Sequence, residues 1–344
     1  MATRCVLHLV GSPTNDFYRE LSELYARGCI DALRDPRRYE FLVAHVSPDG
    51  RWRFPASLEP RAIEDAKALP ISDAIGWINQ QSIDAALPQM FCLPGMTDMR
   101  ALLELLGLPY LGNRPLQMAL TADKAKAKAI VAAAGVRVPS AELLEEGAAT
   151  AFLRPVVVKP NDSDNSDGVT LVSVAEDYPD ALRVAFAHSH QVLVEDYIAP
   201  GREVRCGVIE RDGELICLPL QEYFLDRDTR PIRSKQHKLG RDQAQQLSLT
   251  SKTAAESWSV DGDDPIVALV HDAARRCHAA LGCRQYSLFD FRIDPLGRPW
   301  FLEAGLYCSF SPQSVLVTMA EAAGLSLRQF FDESIENLSA SVSA

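Results

Sequence analysis

Apolar positions along this chain recur with two periods, and the switches between them predict its elements. Residues 4–10 form a short apolar run that stops at Gly11-Ser12-Pro13, which reads as a buried strand leading into a turn. Helical spacing takes over from 16 to 33. Residues 39–46 and 87–93 return to a strand pattern, and 96–106 is helical again, closed by Gly107. Strands alternating with helices predict an open α/β sheet whose functional groups sit at strand ends. The alternation makes residues 1–113 a first module.

Residues 115–134 predict one continuous helix, with Pro115 at its start, alanine and lysine throughout, and Gly135 as the stop. Lys126 and Lys128 read as its solvated face. The valines 156–158 end in Lys159, and a polar loop over 160–168 leads into a strand at 169–172. A lysine at a strand end beside a flexible loop suits a phosphate-gripping flap, which needs a point charge and backbone N–H groups. The acidic spacing of that loop is superficially that of a calcium loop. Its sixth position is not glycine, however, and its twelfth is Ser173 instead of glutamate, which excludes that reading. His188 and His190 read as surface groups ahead of a strand at 191–198. A central module spans 114–196.

The remainder, 197–344, is a third module. It opens with a hairpin, 203–209 and 214–220, around Asp212-Gly213. Residues 221–262 are polar with little regular pattern, as in a functional or disordered loop. A helix over 265–281, a hairpin over 284–304, and helices near 312–323 and 326–337 follow. In the 284–304 hairpin, Pro295-Leu296-Gly297 makes the turn and places Asp290 and Glu303 across from each other. Two carboxylates brought together need a cation, a shared proton or solvent. A hard divalent ion, Mg²⁺ above all, satisfies such a pair when a polyphosphate supplies the remaining ligands. Two solvated strand carboxylates are the alternative.

Composition narrows the partners. A chain of 344 residues can hold two or three cores, and its formal charge of −11 argues against nucleic-acid or anionic-membrane surfaces. The eight cysteines are scattered, with no C-x-x-C pair, and residues 1–10 read as a strand and not an export signal. These features predict reduced, mostly buried thiols in a cytoplasmic protein. No apolar run approaches a membrane span.

Six ordered segments carry a resemblance to a known family. They are Leu108-Pro-Tyr-Leu-Gly112, Thr121-Ala-Asp-Lys-Ala-Lys-Ala-Lys128, Pro155-Val-Val-Val-Lys-Pro160, Val192-Leu-Val-Glu-Asp-Tyr-Ile198 with Gly201-Arg-Glu203, then Asp290 and Glu303. In this order and spacing they resemble the ATP-grasp superfamily and, within it, the D-alanine–D-alanine ligase family, over most of the chain. The resemblance implies an α/β ATP-grasp fold in three modules: an N-terminal open α/β sheet, a central α+β lid and a C-terminal α+β domain. It further implies ATP, Mg²⁺ (with Mn²⁺ able to replace it), small amino-acid or carboxylate substrates, and a homodimer.

Position by position, the resemblance implies that Lys124 and Lys159 contact the nucleotide phosphates. Glu195, Asp196, Tyr197 and Ile198 form the hinge that reads adenine, and Glu203 accepts the ribose hydroxyls. Asp290 and Glu303 ligate Mg²⁺, and Lys235 sits in the mobile loop that closes over the γ-phosphate. Asn165 and Ser166 stand where the family has a serine pair in its phosphate loop. On the substrate side, Asp16 takes the place of an amine-binding glutamate, and Ser314, with Ser309 nearby, that of the serine holding the acceptor carboxylate.

The substrate half also departs from the family. Gly305 stands where the ligases keep a metal-binding Asn, Leu288 where they keep an oxyanion-stabilising Arg, Pro94 where they have His, and Gln236 where they have Tyr. Three aspartates, 162, 164 and 167, crowd the phosphate loop. A nucleotide site mostly kept beside an amino-acid site mostly changed points to the same phosphoryl chemistry on other substrates, in specialised metabolism. His237 is a candidate to replace the lost arginine or to deprotonate the amine, or else a solvated loop residue. Arg292 either supplies positive charge beside Asp290 or forms a structural ion pair. The expected reaction is phosphorylation of a carboxylate by ATP and attack of an amine on the acyl phosphate, with the protein positioning groups and neutralising charge. A cyclo-ligase, a D-alanine–D-alanine ligase proper and a degenerate ATP-binding protein are the alternatives.

Overall fold

Three β-sheets position the side chains of interest. The computed structural model describes residues 3–148, 154–163, 166–199, 201–226, 231–232, 239–241, 247–249 and 256–342. The first sheet comprises β1 (Arg4–Gly11), β2 (Tyr39–Val46), β3 (Trp52–Arg53) and β4 (Ala85–Pro88), in the order β3-β2-β1-β4. Strand β1 runs parallel to both β2 and β4. The accompanying helices are α1 (Asp16–Leu33), α2 (Pro60–Asp65), α3 (Ile71–Ile78), α4 (Leu93–Met96) and α5 (Asp98–Leu105). Gly11 has φ +98°, and a Cβ there would lie 2.1 Å from the Val46 carbonyl oxygen, so only glycine lets β1 end against β2.

Two expectations for this region are corrected. The strand expected at 87–93 is shorter and earlier, because the chain turns at Gln89. The Gln89 N–H makes a last rung to Leu9 O at 2.9 Å. Its side chain spans His8 Nδ1 (2.8 Å) and Ser309 O (2.7 Å). The helix expected at 96–106 is two, α4 and α5, broken at Thr97 (φ −113°, ψ −74°), whose hydroxyl donates to Leu93 O.

The second sheet contains β5 (Ala141–Glu145), β6 (Val156–Pro160), β7 (Thr170–Val172) and β8 (Gln191–Asp196), in the antiparallel order β5-β8-β6-β7. Helix α8 (Tyr178–Phe186) covers it, closing a core of Leu144, Val158, Val172, Tyr178 and Val192. The single helix expected over 115–134 is also corrected: it is α6 (Pro115–Ala122) and α7 (Lys124–Ala133). Asp123 leaves helical geometry (φ −87°, ψ 102°) so that its carboxylate can accept the Lys126 N–H at 3.0 Å as an N-cap.

The third sheet has the order β14-β11-β9-β15-β16, with β10 paired to β9. Its strands are β9 (Arg202–Arg211), β10 (Glu214–Cys217), β11 (Gln221–Tyr223), β14 (Ser257–Ser259), β15 (Tyr286–Ile293) and β16 (Pro299–Gly305). A separate pair, β12 (Leu239–Arg241) and β13 (Leu247–Leu249), lies between β11 and β14 in sequence. The stretch 221–262 therefore contains regular strands, against the expectation of little pattern. Each is three residues long, too short to register as a period. Helices α9 (Pro265–Ala280), α10 (Val315–Ala322) and α11 (Leu327–Val342) complete the chain.

Candidate active site

The register of the third sheet lines up the charged residues. Asp290 on β15 faces Glu303 on β16 and Arg205 on β9, so the three occupy one row across adjacent strands. In the next row, Arg292 faces Glu203 on β9 and Trp300 on β16. The hairpin that sets this pairing is closed by Gly297 (φ +75°) and by the Asp294 carboxylate, which accepts the N–H groups of Leu296 and Arg298 at 2.9 and 3.0 Å. A bulge between Asp290 and Phe291 bends the strand, yet Asp290 and Arg292 both reach the cleft above.

That cleft is open to solvent and spans about 690 Å³ with the solvent-filled space counted. Its floor carries Glu203, Asp290, Arg292 and Glu303. Its opposite wall carries Lys159 from the end of β6, Glu195 from β8 and Lys124 from the first turn of α7. Val157, Ile232 and Leu302 add an apolar patch, and Ser163, Ser166 and Asp167 form the loop side. Ser166 adopts φ +62°, a left-handed conformation uncommon for a non-glycine residue. Asn161 ties α7 to this wall: its carbonyl accepts the Lys124 N–H (3.0 Å) and its side chain the Ala125 N–H (2.9 Å).

Every charge in the wall is answered. Lys159 Nζ meets Glu195 Oε1 at 2.6 Å, and Lys128 Nζ meets Glu195 Oε2 at 3.0 Å. Lys128 also donates to Phe301 O at 3.2 Å and is only 4% exposed, so the reading of it as part of a solvated face is corrected. It follows Lys124 by four residues, which puts both on the helix face turned toward the sheets. Lys126 is exposed and pairs with Asp123 at 2.8 Å. Burial pulls the Lys128 ammonium down to about 8 against the pull of Glu195. Burial pushes the Glu195 carboxyl upward, but Lys128 and Lys159 outweigh it and hold the group below the usual carboxylate range. Lys124 Nζ donates to the Ser163 carbonyl.

On the floor, Arg205 grips Asp290 with two contacts, Nε to Oδ1 at 2.6 Å and Nη2 to Oδ2 at 2.9 Å. Arg292 Nη2 meets Glu203 Oε2 at 2.8 Å, and Nη1 donates to Pro231 O at 3.1 Å. Arg292 thus forms an ion pair with Glu203 and also lines the cleft. In the hinge, the Asp196 N–H donates to Ser140 O (2.8 Å) and the Tyr197 N–H to Pro155 O (3.2 Å). The Asp196 carboxylate pairs with Arg154, and Tyr197 and Ile198 are half-buried at the strand end.

The substrate-side residues lie apart from this cleft lining. Asp16 is mostly exposed in the first turn of α1 and bonds Arg19 at 2.9 Å. Ser309 and Ser314 are buried. The Ser309 carbonyl accepts from Gln89, which joins β4 to this loop, and the Ser314 hydroxyl lies 3.5 Å from Cys308 Sγ. Lys235, Gln236 and His237 fall outside the described residues. Leu288 packs against the core shared by the first and third sheets, opposite Gly305. His188 and His190 are exposed, as expected.

Two residues of this site escaped the sequence reading. Arg205 alternates with Glu203 along β9, and the two-residue period that puts both on one face was the available signal. Lys128 shares a helix face with Lys124, a signal masked by the Ala/Lys repeat around it.

The arrangement sets cations where a polyphosphate can be gripped and a pair of hard oxygen donors on the facing floor. Among the described residues no group of three or more His, Cys, Asp or Glu is placed to hold a metal unaided. Asp290 and Glu303 thus fit Mg²⁺ only as part of a shell completed by phosphate oxygens and water.

Comparison with known proteins agrees with this geometry. Residues 130–336 match the family model described as D-ala D-ala ligase C-terminus. A D-alanine–D-alanine ligase of Bordetella petrii is 30% identical over 236 residues, covering 66% of this chain and 67% of that protein. The crystal structure of the VanG D-Ala:D-Ser ligase from Enterococcus faecalis superposes with a TM-score of 0.78 at 22% identity, over 98% of this chain and 99% of its own. The D-alanine–D-alanine ligase from Bacillus anthracis complexed with ATP gives a TM-score of 0.71 at 20% identity, over 98% and 97%. Sheets, register and family match lead to one assignment: the chain belongs to the D-alanine–D-alanine ligase family of ATP-grasp enzymes, ligases that form carbon–nitrogen bonds and release ADP.

Proposed function

We propose that this chain is an ATP-dependent carboxylate–amine ligase that forms an amide bond through an acyl phosphate, on amino-acid-type substrates of specialised metabolism. The observation that carries the reading is the cleft in which Lys124 and Lys159 face Asp290 and Glu303. In this reading the modules 1–113, 114–196 and 197–344 are the substrate-side unit, the lid and the nucleotide and acceptor unit, in a cytoplasmic homodimer. Among the described residues, no helix is long and apolar enough to cross a membrane.

Each residue's task follows from its charge and place. Lys124 and Lys159 orient the phosphates of ATP, and the apolar surface of Val157 and Leu302 receives the base beside the 195–198 hinge. Glu203 accepts the ribose hydroxyls in this reading. Asp290 and Glu303 would hold Mg²⁺, which neutralises charge on the transferring phosphoryl group when bound. Ser166 belongs to the loop over the phosphates, and Lys235 supplies a further cation to the γ-phosphate. His237 supplies a cation or a base to the acyl transfer, and Asp16, Ser309 and Ser314 hold the amino-acid ends. Leu288, packed into the core, offers no charge to an oxyanion, which supports a substrate site different from that of the dipeptide ligases.

The test is ADP and phosphate release with Mg²⁺ and a panel of amino acids, singly and in pairs, with products read by mass. Turnover that needs two different substrates, with loss of one water in the product, supports the reading and names them. A product formed from D-alanine alone would make this a D-alanine–D-alanine ligase proper. A single substrate losing water internally would make it a cyclo-ligase. ATP binding without release of ADP across the panel would overturn the proposal.

A further inference from the structure

Away from the cleft, one buried side chain joins the two elements assigned to the amino-acid ends. Gln89 is fully buried, and each of its polar groups is engaged. Its N–H donates to Leu9 O at 2.9 Å, and its backbone carbonyl accepts the Ser22 hydroxyl at 2.7 Å. Ser22 Oγ in turn accepts the Gly11 N–H at 2.8 Å, which fastens Gln89 to the turn leading from β1 to Asp16. On the other side, Gln89 Nε2 donates to Ser309 O at 2.7 Å. A carbonyl can only accept, which leaves Gln89 Oε1 to accept from His8 Nδ1 at 2.8 Å. His8 therefore carries its proton on Nδ1, and burial pulls it down to about 4, which keeps it neutral. The loop that Gln89 holds, 306–314 between β16 and α10, has a bent backbone. Phe310 adopts φ +51°, a left-handed conformation that a bulky side chain disfavours. Such a conformation persists only where its surroundings over-determine it. Here the Phe310 ring is fully buried against Tyr286, Phe330 and Phe331. Gln89 fixes the residue before it, and α1 backs the residue after it: a Cβ at Gly28 would lie 2.5 Å from Ser311 Oγ.

We propose that Gln89 is a positioning residue for amide formation: it sets the Ser309–Ser314 loop against the β1–α1 turn and so fixes the spacing of the two amino-acid ends. This rests on the reading of Asp16, Ser309 and Ser314 as the residues that hold those ends. Acyl transfer needs the amine within attacking distance of the acyl phosphate, and a displacement of about 1 Å at either end can cost roughly a hundredfold in rate. Gln89 does not line the nucleotide cleft, so its contribution falls on the amino acids and not on ATP. The Nδ1–H of His8 keeps the Gln89 amide the right way round. Without that donor, Gln89 Oε1 is left buried and unpaired, and the amide loses its fixed orientation toward Ser309 O.

The experiment separates the amino acids from the nucleotide. ADP release by the whole chain is measured with the amino-acid pair that the panel identifies, each varied in turn. Affinity for the non-hydrolysable analogue AMP-PNP with Mg²⁺ is titrated separately. Gln89→Met keeps the volume and removes both side-chain hydrogen bonds. It should lower kcat/KM for the attacking amine by roughly ten- to a hundredfold, while the KM for ATP and the Kd for AMP-PNP stay as they are. His8→Asn, whose Nδ2 stands in for the imidazole Nδ1–H, should retain most of the activity. His8→Leu should lose it as Gln89→Met does, a dependence on the donor that a purely structural role would not show. If Gln89→Met does not fold, the two His8 variants carry the test. Unchanged amine kinetics in Gln89→Met would overturn the proposal, as would a matching loss of AMP-PNP affinity or equal losses in the two His8 variants. If no pair turns over, the ligase reading fails by its own test, and hydrogen exchange in Gln89→Met and His8→Leu decides for Gln89. Faster exchange confined to the amides of 309–314 would leave its hold on the loop in place, and unchanged exchange there would overturn it.

Discussion

Lys128 shows how much of the site is held together by a side chain that does not line the cleft. Its ammonium spans three elements: it sits on α7, pairs with Glu195 on β8 at 3.0 Å, and donates to Phe301 O on β16 at 3.2 Å. Removing one partner of a buried ion pair costs more than the pair itself contributes, because the remaining charge keeps its desolvation penalty. Here the penalty is moderated, since Glu195 keeps Lys159 at 2.6 Å. Lys128→Met should therefore lower stability by about 3 kcal/mol, the lower end of what a broken buried pair costs. Nucleotide affinity should weaken with it, because Lys159 is then drawn wholly to Glu195. Lys128→Arg should recover most of the affinity if charge at this position is what matters. Thermal midpoints and nucleotide titrations of the two variants check this, and equal losses in both would mean that the shape of the lysine, not its charge, carries the role.

At the scale of elements, the break between α6 and α7 decides where Lys124 points. Sequence propensity favours one helix across 115–134, and nothing in the Ala/Lys composition argues otherwise. The structure stops it at Asp123, whose carboxylate caps the Lys126 N–H, while Asn161 accepts from the N–H groups of Lys124 and Ala125. Asp123→Ala should cost about 1 kcal/mol, the usual value of an N-cap. It should also lower the helix content gained on folding very little, since both helices persist. The distinguishing outcome is at the site: Lys124 begins α7, so losing the cap should raise the KM for ATP several-fold while leaving kcat nearly unchanged. A change in kcat alone would argue against the cap as the device that aims this lysine. The same elements show what was legible in advance. The β15–β16 hairpin and the facing of Asp290 and Glu303 follow from a turn signal and a two-residue period, both local in sequence. The partners of those carboxylates were not legible, because Arg205 lies 85 residues from Asp290 and only sheet order brings them together. Lys128 was misread for the related reason that helical periodicity gives a face but not what covers it. The early end of β4 depends on Gln89 reaching Ser309, 220 residues away, which no local pattern records.

At the scale of the whole molecule, the three sheets are not equally bound to one another. The first and third share a core in which Val6, Leu33 and Leu87 pack with Tyr286, Phe310 and Phe331. Buried polar bonds reinforce it. Asn113 donates to Tyr286 O (2.8 Å) and Leu306 O (3.0 Å) and accepts from the Arg284 N–H (2.7 Å). The second sheet and α8 close their own core, with no member drawn from either neighbour. Among the described residues, its links to the rest include the amide bonds of Asn161 and the Glu195–Lys128 pair, polar contacts that can be exchanged for water far more cheaply than an apolar core can be exposed. Local opening draws on the weakest boundary of a fold, so this unit should swing or unfold as a body while the other two remain joined. Hydrogen exchange of the ligand-free chain should then show amides of β5, β6 and β8 exchanging together, through an opening less costly than global unfolding. Amides of β1, β9 and β15 should exchange last and in step with one another. Nucleotide bound between Lys159 on the second sheet and Asp290 on the third would tie the mobile unit to the fixed one, and the protection of β6 and β8 should rise by the binding free energy. If the second sheet exchanged in step with the first and third before any ligand was added, the boundary would be as strong as a core. Closure over the nucleotide would then have to come from the loops alone.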